Sequence, residues 1–340
     1  MQNHKEYMGY NIIAKAQKVN IEENKKKIDE IKKYFSKIHV NLINNCLFYK
    51  DFSFKIEKIL NSQNIFNSSS SCIIKTPKLE NNYIMNTRIV NYRLDFIGKT
   101  NNSDKCITIN KVSMLDNLFN EISFKYFFPS ELNKKYVGIE DVRLFSFNKK
   151  NYFIGSFYNQ KNNKIQIVSN TLENYDNPII INPTFETNFN WEKNWVFFNN
   201  NNDINIIYKW YPIYICKIDY SNNSLNLIKS IENLPPIFNK FRGSTNGVLY
   251  DDKIWFIVHE QNKIIYEIKS YVNIFVVFNK NMDLLGYSKG FKFESKLIEF
   301  CLGFEVTYKN KFVITYSTLD SSTKLAVFSP EYINSLINYI

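Results

Sequence analysis

Arginine is scarce in this chain of 340 residues, and that scarcity sets a first limit on its function. Specific readout of phosphates and base edges relies on the planar, bidentate guanidinium. Aromatic and arginine interleaving, the mark of a single-strand platform, is also poor. A nucleic-acid surface is therefore disfavoured, and no nucleic-acid partner is expected. No stretch of about 18 uncharged apolar residues occurs, so no transmembrane segment is expected. The opening "MQNHKEYMGYNIIAKAQK" lacks the apolar core of a secretory leader. Five cysteines, Cys46, Cys72, Cys106, Cys216 and Cys301, are far apart and odd in number. They lack metal-type spacing and read as reduced, mostly buried thiols of a cytoplasmic protein. No glycine-rich nucleotide loop and no DxD-type metal pair is evident, so neither metal nor cofactor is implied.

What is present is a core. Apolar residues make up 44% and aromatics 16%, which excludes a disordered chain. The aromatics are chiefly Phe (29) and Tyr (23), both strand-favouring. The net charge is +11, and residues 1–80 hold 14 lysines against 8 acids. The first quarter thus supplies +6 of the excess, and the remainder is only mildly basic.

Residues 20–38, "NIEENKKKIDEIKKYFSKI", space Ile28, Ile31, Tyr34, Phe35 and Ile38 as an amphipathic helix with a Lys-rich outer face. "NSSSSC", residues 67–72, reads as a polar break and linker. Beyond about residue 75 helical periodicity vanishes, and short alternating strands follow one another between Asn, Asp and Lys turns. Hairpin-like units start at Gly138, Glu192, Arg242 and Glu299, in steps of 54, 50 and 57 residues, and a weaker one starts at Asn86, 52 residues earlier. About 50 residues holding four short strands is the length of a propeller blade. The sequence therefore predicts an all-β, five-bladed β-propeller over 76–340, preceded by a short helical, Lys-rich extension over 1–75. A β-sandwich is the alternative, but its turn signals do not recur on so long a period.

Because hairpin strands run antiparallel, the start of a unit's first strand and the end of its second lie at one end. Those places carry the unusual polar residues: Arg88 and Asn91; Glu140, Asp141, Arg143 and Tyr158; Glu192, Lys193, Lys209 and Trp210; Arg242, Ser244, Thr245, His259 and Glu260; Glu299, Tyr316 and Asp320. In a propeller these ends meet around one mouth of the central channel. Carboxylates and aromatic faces together suit a hydroxyl-rich ligand, and Lys193, Lys209, Arg242 and His259 would add an anion site. The plainer alternatives are a structural Glu140–Arg143 ion pair, a core histidine at 259, a surface lysine at 209 and a turn cap at Asp320.

"GIEDVRLF" resembles the Gly-x-Glu-Asp-Pro-Arg motif of the family 130 glycoside hydrolases and phosphorylases and the related β-1,2-mannosyltransferases. "MNTRIVNY", "EKNWVFF", "INIIYKWYP", "GVLYDDKIWFIVHE" and "FVITYSTLDSSTKLAVF" follow in that family's order over roughly 80–330. The resemblance implies a five-bladed propeller acting on β-mannosides. It implies Asp141 as catalytic acid, Lys193, Lys209 and His259 as phosphate-binding, and Asp320 at the mannosyl subsite. Arg88, Asn91, Glu140, Arg143, Tyr158, Glu192, Arg242, Glu260 and Tyr316 are the candidate substrate-binding residues. Basic residues where hydrolytic members carry carboxylates imply a sugar or glycan substrate with a phosphate or sugar-nucleotide co-substrate. A glycosyltransferase is expected first, an inverting phosphorylase or hydrolase second, and a non-catalytic glycan-binding propeller third. The chain departs from the pattern in having Val142 for the motif proline and Lys209 for a frequent arginine. Residues 1–75 have no counterpart in the family.

Overall fold

A computed structural model describes residues 40–57, 65–76, 81–94, 105–129, 136–187, 191–200, 203–263 and 269–340, with Asp29 and Ile59. The amphipathic segment 20–38 lies outside the described residues, apart from Asp29. The described chain is nearly all β.

Consecutive strands pair antiparallel into meanders. The first runs Phe66–Lys75, Tyr83–Val90, Cys106–Leu115 and Glu121–Phe127, with Lys55–Ile56 added beside Phe66–Lys75. The second (Ile139–Phe147, Lys150–Asn159, Lys164–Thr171, Ile179–Pro183) and the third (Val196–Asn200, Asp203–Trp210, Ile213–Asp219, Ser224–Ile231) join through a short parallel contact into one eight-stranded sheet. A fourth sheet is built on Lys253–Lys263 and Lys269–Asn279, with Phe241–Gly243 and Val248–Tyr250 both paired to the first of these. Leu284–Ser288 and Ile337–Tyr339 extend its other side. The last sheet holds Glu299–Val306, Phe312–Thr318 and Lys324–Phe328, and its outer edge is Phe48–Asp51, paired Phe48 to Val327. A strand from near the start of the chain thus completes the last sheet. The arrangement is propeller-like.

Local chemistry explains these elements. Asn148–Lys149 and Asp251–Asp252 each have positive φ at both positions, the conformation of two-residue hairpin loops matched to strand twist. The strands they join alternate apolar side chains into shared cores, as in the cluster of Val142, Leu144, Phe153, Val168 and Leu302. Val142 is wholly buried in it, so the position normally given to proline in the motif is here a packing position.

One boundary is corrected. Residues 67–72 are not a linker but the buried heart of the strand Phe66–Lys75, whose partners are in Tyr83–Val90. A run of serines is polar, but Ser68 and Ser71 pair with Ile89 and Thr87 on either side of a bulge. Thr315 and Thr323 also donate their hydroxyls to the carbonyls of Ser71 and Ser69. Phe48–Asp51 and Phe66–Lys75 both belong to the sheets, so the sheets begin well before residue 76, inside the extension expected over 1–75.

Candidate functional site

Arg88 is the centre of the cluster that includes Asp141. It is 5% exposed on its strand. Its Nη1 donates to Asp141 Oδ1 at 3.0 Å, its Nη2 lies 3.2 Å from Glu140 Oε1, and Nη2 also meets the Tyr92 hydroxyl at 2.9 Å. Thr108 Oγ1 accepts from the same guanidinium. Lys193 Nζ stands 3.9 Å from Glu140 Oε2. The two acids are therefore gripped from the first meander and approached from the loop before the third.

Asp141 has φ 53, in the left-handed region that non-glycine residues rarely occupy. The register of Ile139–Phe147 against Lys150–Asn159 shifts between Glu140 and Arg143, so a bulge turns Asp141 out of the ladder. Proline at 142 would bias residue 141 towards extended backbone. Valine leaves it free. Asn194, Leu319 and Asp320 also have positive φ, so unusual backbone recurs at three meander ends.

Arg143 does not pair with Glu140. It is buried, and its guanidinium donates to three carbonyls: Ser244 at 2.6 Å, Asp141 at 3.0 Å and Gly243 at 3.2 Å. Burial lowers its pKa, and the neighbouring Asp141 charge works against that. Arg143 thus fixes the Asp141 backbone to the fourth sheet's leading segment.

Asp320 interacts through space with Arg88, Glu140 and Asp141, and Ser69 Oγ donates to its Oδ1 at 3.3 Å. Burial pushes the Asp320 carboxyl up, Arg88 pulls it back, and the Asp141 charge adds to the rise. Tyr271, also pushed up to about 12 by burial, responds to both Asp320 and Asp141. His259 packs its ring 5.3 Å from Tyr271 and 5.3 Å from Phe300, and its Nδ1 lies 2.7 Å from Ser244 Oγ. Burial drives the imidazole down to about 3, with Arg143 and Arg242 adding to the shift. His259 is therefore neutral at pH 7 and offers hydrogen bonding rather than positive charge. Its unfolded value is about 6.5. Its contribution to stability is present above pH 6.5 and is lost as pH falls towards about 3. A His259→Gln variant should show a flatter decline of thermal midpoint over that window than the parent. Parallel curves would refute this.

Arg242 is exposed, and its Nη1 donates to the carbonyls of Asn239 and Phe241. It is the register partner of His259.

Arg88, Glu140, Asp141, Arg143, Lys193, Arg242, His259 and Asp320 are thus linked by contacts or charge interactions. Other candidates are engaged elsewhere. Glu192 accepts from Trp195 Nε1 at 3.2 Å and Tyr208 OH at 3.0 Å, and burial pushes its carboxyl up. Lys209 sits 3.6 Å over the Tyr214 ring. Glu260 meets Lys240 at 3.3 Å. Asn91 clamps the neighbouring strand, accepting from Ile107 N and donating to Lys105 O. Tyr316 is wholly buried, stacked 4.0 Å from Phe293, with its hydroxyl on Glu294. Tyr158 bonds Asn163 and packs on Tyr136. Glu299 is a buried knot accepting from the amides of Phe293, Glu294 and Lys296. Sequence reasoning missed Ser69, Tyr92, Ser244's bond to His259, and Tyr271.

A cavity of about 390 Å³ opens farther along the same inner strands, among Cys72, Leu144, Asn246, Leu302 and Glu305, and contains none of the candidate residues. Among the described residues no three His, Cys, Asp or Glu side chains are grouped to hold a metal ion. No helix there is long and apolar enough to cross a membrane.

No protein-family model matches the chain, and no curated protein matches it in sequence. Its fold, however, is shared with solved structures. The β-1,2-mannobiose phosphorylase of Listeria innocua, in complex with β-1,2-mannobiose, is similar at a TM-score of 0.57 and 10% identity, over 84% of this chain and 99% of that one. A glycosyl hydrolase from Bacteroides ovatus is similar at 0.52 and 11%, over 86% and 93%. A GDP-Man-dependent mannosyltransferase from Leishmania mexicana is similar at 0.50 and 12%, over 88% and 93%.

Proposed function

We propose that the chain is a carbohydrate-active enzyme on a five-bladed β-propeller. In this reading it is a glycosyltransferase that moves a mannose-like sugar from a phosphate-bearing donor. The observation that carries the reading is the Arg88-centred group, in which one buried cation holds Glu140 and Asp141 at a backbone bulge opposite Asp320. Structural neighbours at low identity that are named as a phosphorylase, a hydrolase and a mannosyltransferase support the class.

Asp141 acts as general acid/base, with Arg88 and Arg143 fixing its side chain and backbone. Glu140 and Asp320 accept from sugar hydroxyls, which are good donors to carboxylates. Lys193 and the exposed Arg242 bind the departing phosphate, where positive charge is most useful as negative charge develops. His259, neutral, adds a hydrogen bond.

An inverting phosphorylase uses the same groups in reverse. Phosphate attacks without needing a second carboxylate as base, and only one acid, Asp141, is required. The lone exposed arginine beside His259 suits either direction of phosphate traffic.

The test is a product screen by mass spectrometry. The protein is incubated with GDP-mannose and a β-mannoside acceptor, and separately with manno-oligosaccharides and inorganic phosphate. The expected result is an acceptor lengthened by one hexose in the first reaction. Mannose 1-phosphate in the second reaction alone would replace the transferase with the phosphorylase. Sugar binding without product in either would leave a glycan-binding propeller.

A further inference from the structure

Three of the four tryptophans are core residues: Trp195, Trp210 and Trp255 are 1%, 3% and 2% exposed. Trp191 is 70% exposed. It lies two residues before Lys193, whose ammonium approaches Glu140. Its backbone forms a parallel bridge with Ile165, and Ile165 is the register partner of Tyr158. Directly paired residues project to one face of a sheet, so Trp191, Ile165 and Tyr158 share a face. The Tyr158 ring in turn meets Tyr136 edge-on at 5.3 Å and 63°, and Tyr136 is 40% exposed. Tyr158 lies two residues beyond Ser156, the register partner of Glu140, and Trp191 two residues before Lys193, so these aromatics fall at the end of the sheet that carries Asp141.

From this geometry we infer that Tyr136, Tyr158 and Trp191 form an aromatic rim. The rim takes the distal sugar ring of an oligosaccharide acceptor, beyond the sugar held at Asp141. The inference rests on the carbohydrate reading above and extends it to acceptor length. Aromatic rings offer flat apolar area at low conformational cost. The apolar face of a pyranose matches that area, while its hydroxyls reach the donors and acceptors of Lys193 and Glu140. A nucleobase is the competing occupant. The neighbouring carboxylate and ammonium favour a polyol, which needs both kinds of partner.

Trp191 reports on its own occupancy, because the other three indoles are shielded. The test is steady-state tryptophan emission and acrylamide quenching, with β-1,2-linked mannobiose, mannotriose and mannotetraose as probes. The tri- and tetrasaccharide are expected to shift the emission to shorter wavelength and protect it from quenching. The disaccharide should leave it nearly unchanged. Trp191→Phe should remove the signal. Tyr136→Ala should weaken trisaccharide binding about five- to tenfold while leaving disaccharide binding unchanged.

Protection by guanosine monophosphate and not by the oligosaccharides would overturn the inference in favour of a nucleobase. Silence of Trp191 towards every probe would overturn it outright. The two readings fail separately. A Trp191 response without turnover counts against the transferase and phosphorylase but keeps the rim. Turnover without a Trp191 response does the reverse.

Discussion

Asp141→Asn is expected to lower turnover on the order of 10²- to 10⁴-fold, the range over which a positioned proton donor acts. Folding should be nearly unaffected. The carboxamide Oδ1 still accepts from Arg88 Nη1, where the carboxylate oxygen now sits at 3.0 Å. The bulge is held by the main-chain bond from Arg143 to the Asp141 carbonyl, which the substitution does not touch. Weakening one charge-assisted bond costs about 1–2 kcal/mol. Binding of substrate hydroxyls, assigned in the proposed function to Glu140 and Asp320, should persist. The combination to look for is therefore a collapsed kcat with a KM within a few-fold of the parent and an unchanged circular dichroism spectrum. Near-parental kcat would remove Asp141 from the chemistry and pass the role to Asp320, whose carboxyl is already pushed up by burial. Asp320→Asn is the companion variant.

The logic of that experiment was partly legible in the sequence. Alternating apolar residues and a step of about 50 residues foretold the meanders, because a half-buried strand has no other periodicity available. Placement at strand ends leads to the expectation of one mouth holding Arg88, Asp141, Lys193, Lys209, His259 and Asp320; contacts join Arg88 to Glu140 and Asp141 and bring Lys193 towards Glu140, while Lys209 lies over the Tyr214 ring. What was not legible depends on which partner a side chain finds. Proximity in sequence offers a Glu140–Arg143 ion pair as the plainer alternative, yet Arg143 donates to carbonyls, and Arg88, 52 residues away, takes Glu140. Glu192 carries the right charge at the right end, but Trp195 and Tyr208 claim both of its oxygens. Tyr316 falls at the correct repeat position, but on the face of its strand that stacks on Phe293. One residue of register decides which face of the strand a side chain takes, and periodicity alone does not fix it where every residue of a strand is buried. The strand Phe312–Thr318 is of that kind. The serine run 68–71 misled for a related reason. Composition scores it as loop, yet these buried serines meet polar partners, Ser69 on Asp320 and the Ser69 and Ser71 carbonyls on Thr323 and Thr315.

Arg88→Met should be the most damaging single substitution for stability. Only four arginines occur in the chain, and this one neutralises Glu140 and Asp141 directly and Asp320 through space. Methionine keeps much of the volume but removes the charge and the donors to Tyr92 and Thr108. Three carboxylates then share a partly buried site without their cation. Removing one partner of such a pair costs about 3–5 kcal/mol. The sign of the pH dependence follows from linkage. Without the Arg88 charge that pulls it down, the Asp320 carboxyl rises further above its unfolded value of about 4. The folded state then binds more protons than the unfolded one, so the penalty is largest at neutral pH and shrinks as pH falls towards that value. The parent carries a milder version through Asp320 alone. Thermal midpoints of parent and variant should therefore be far apart at pH 7 and converge towards pH 4. Arg88→Lys should fall between them, since it restores charge without the two-pronged grip on Glu140 and Asp141. A constant gap across pH would mean that lost packing, not lost charge, sets the cost. Arg88 would then be a core residue and not the counter-ion around which the acids are arranged.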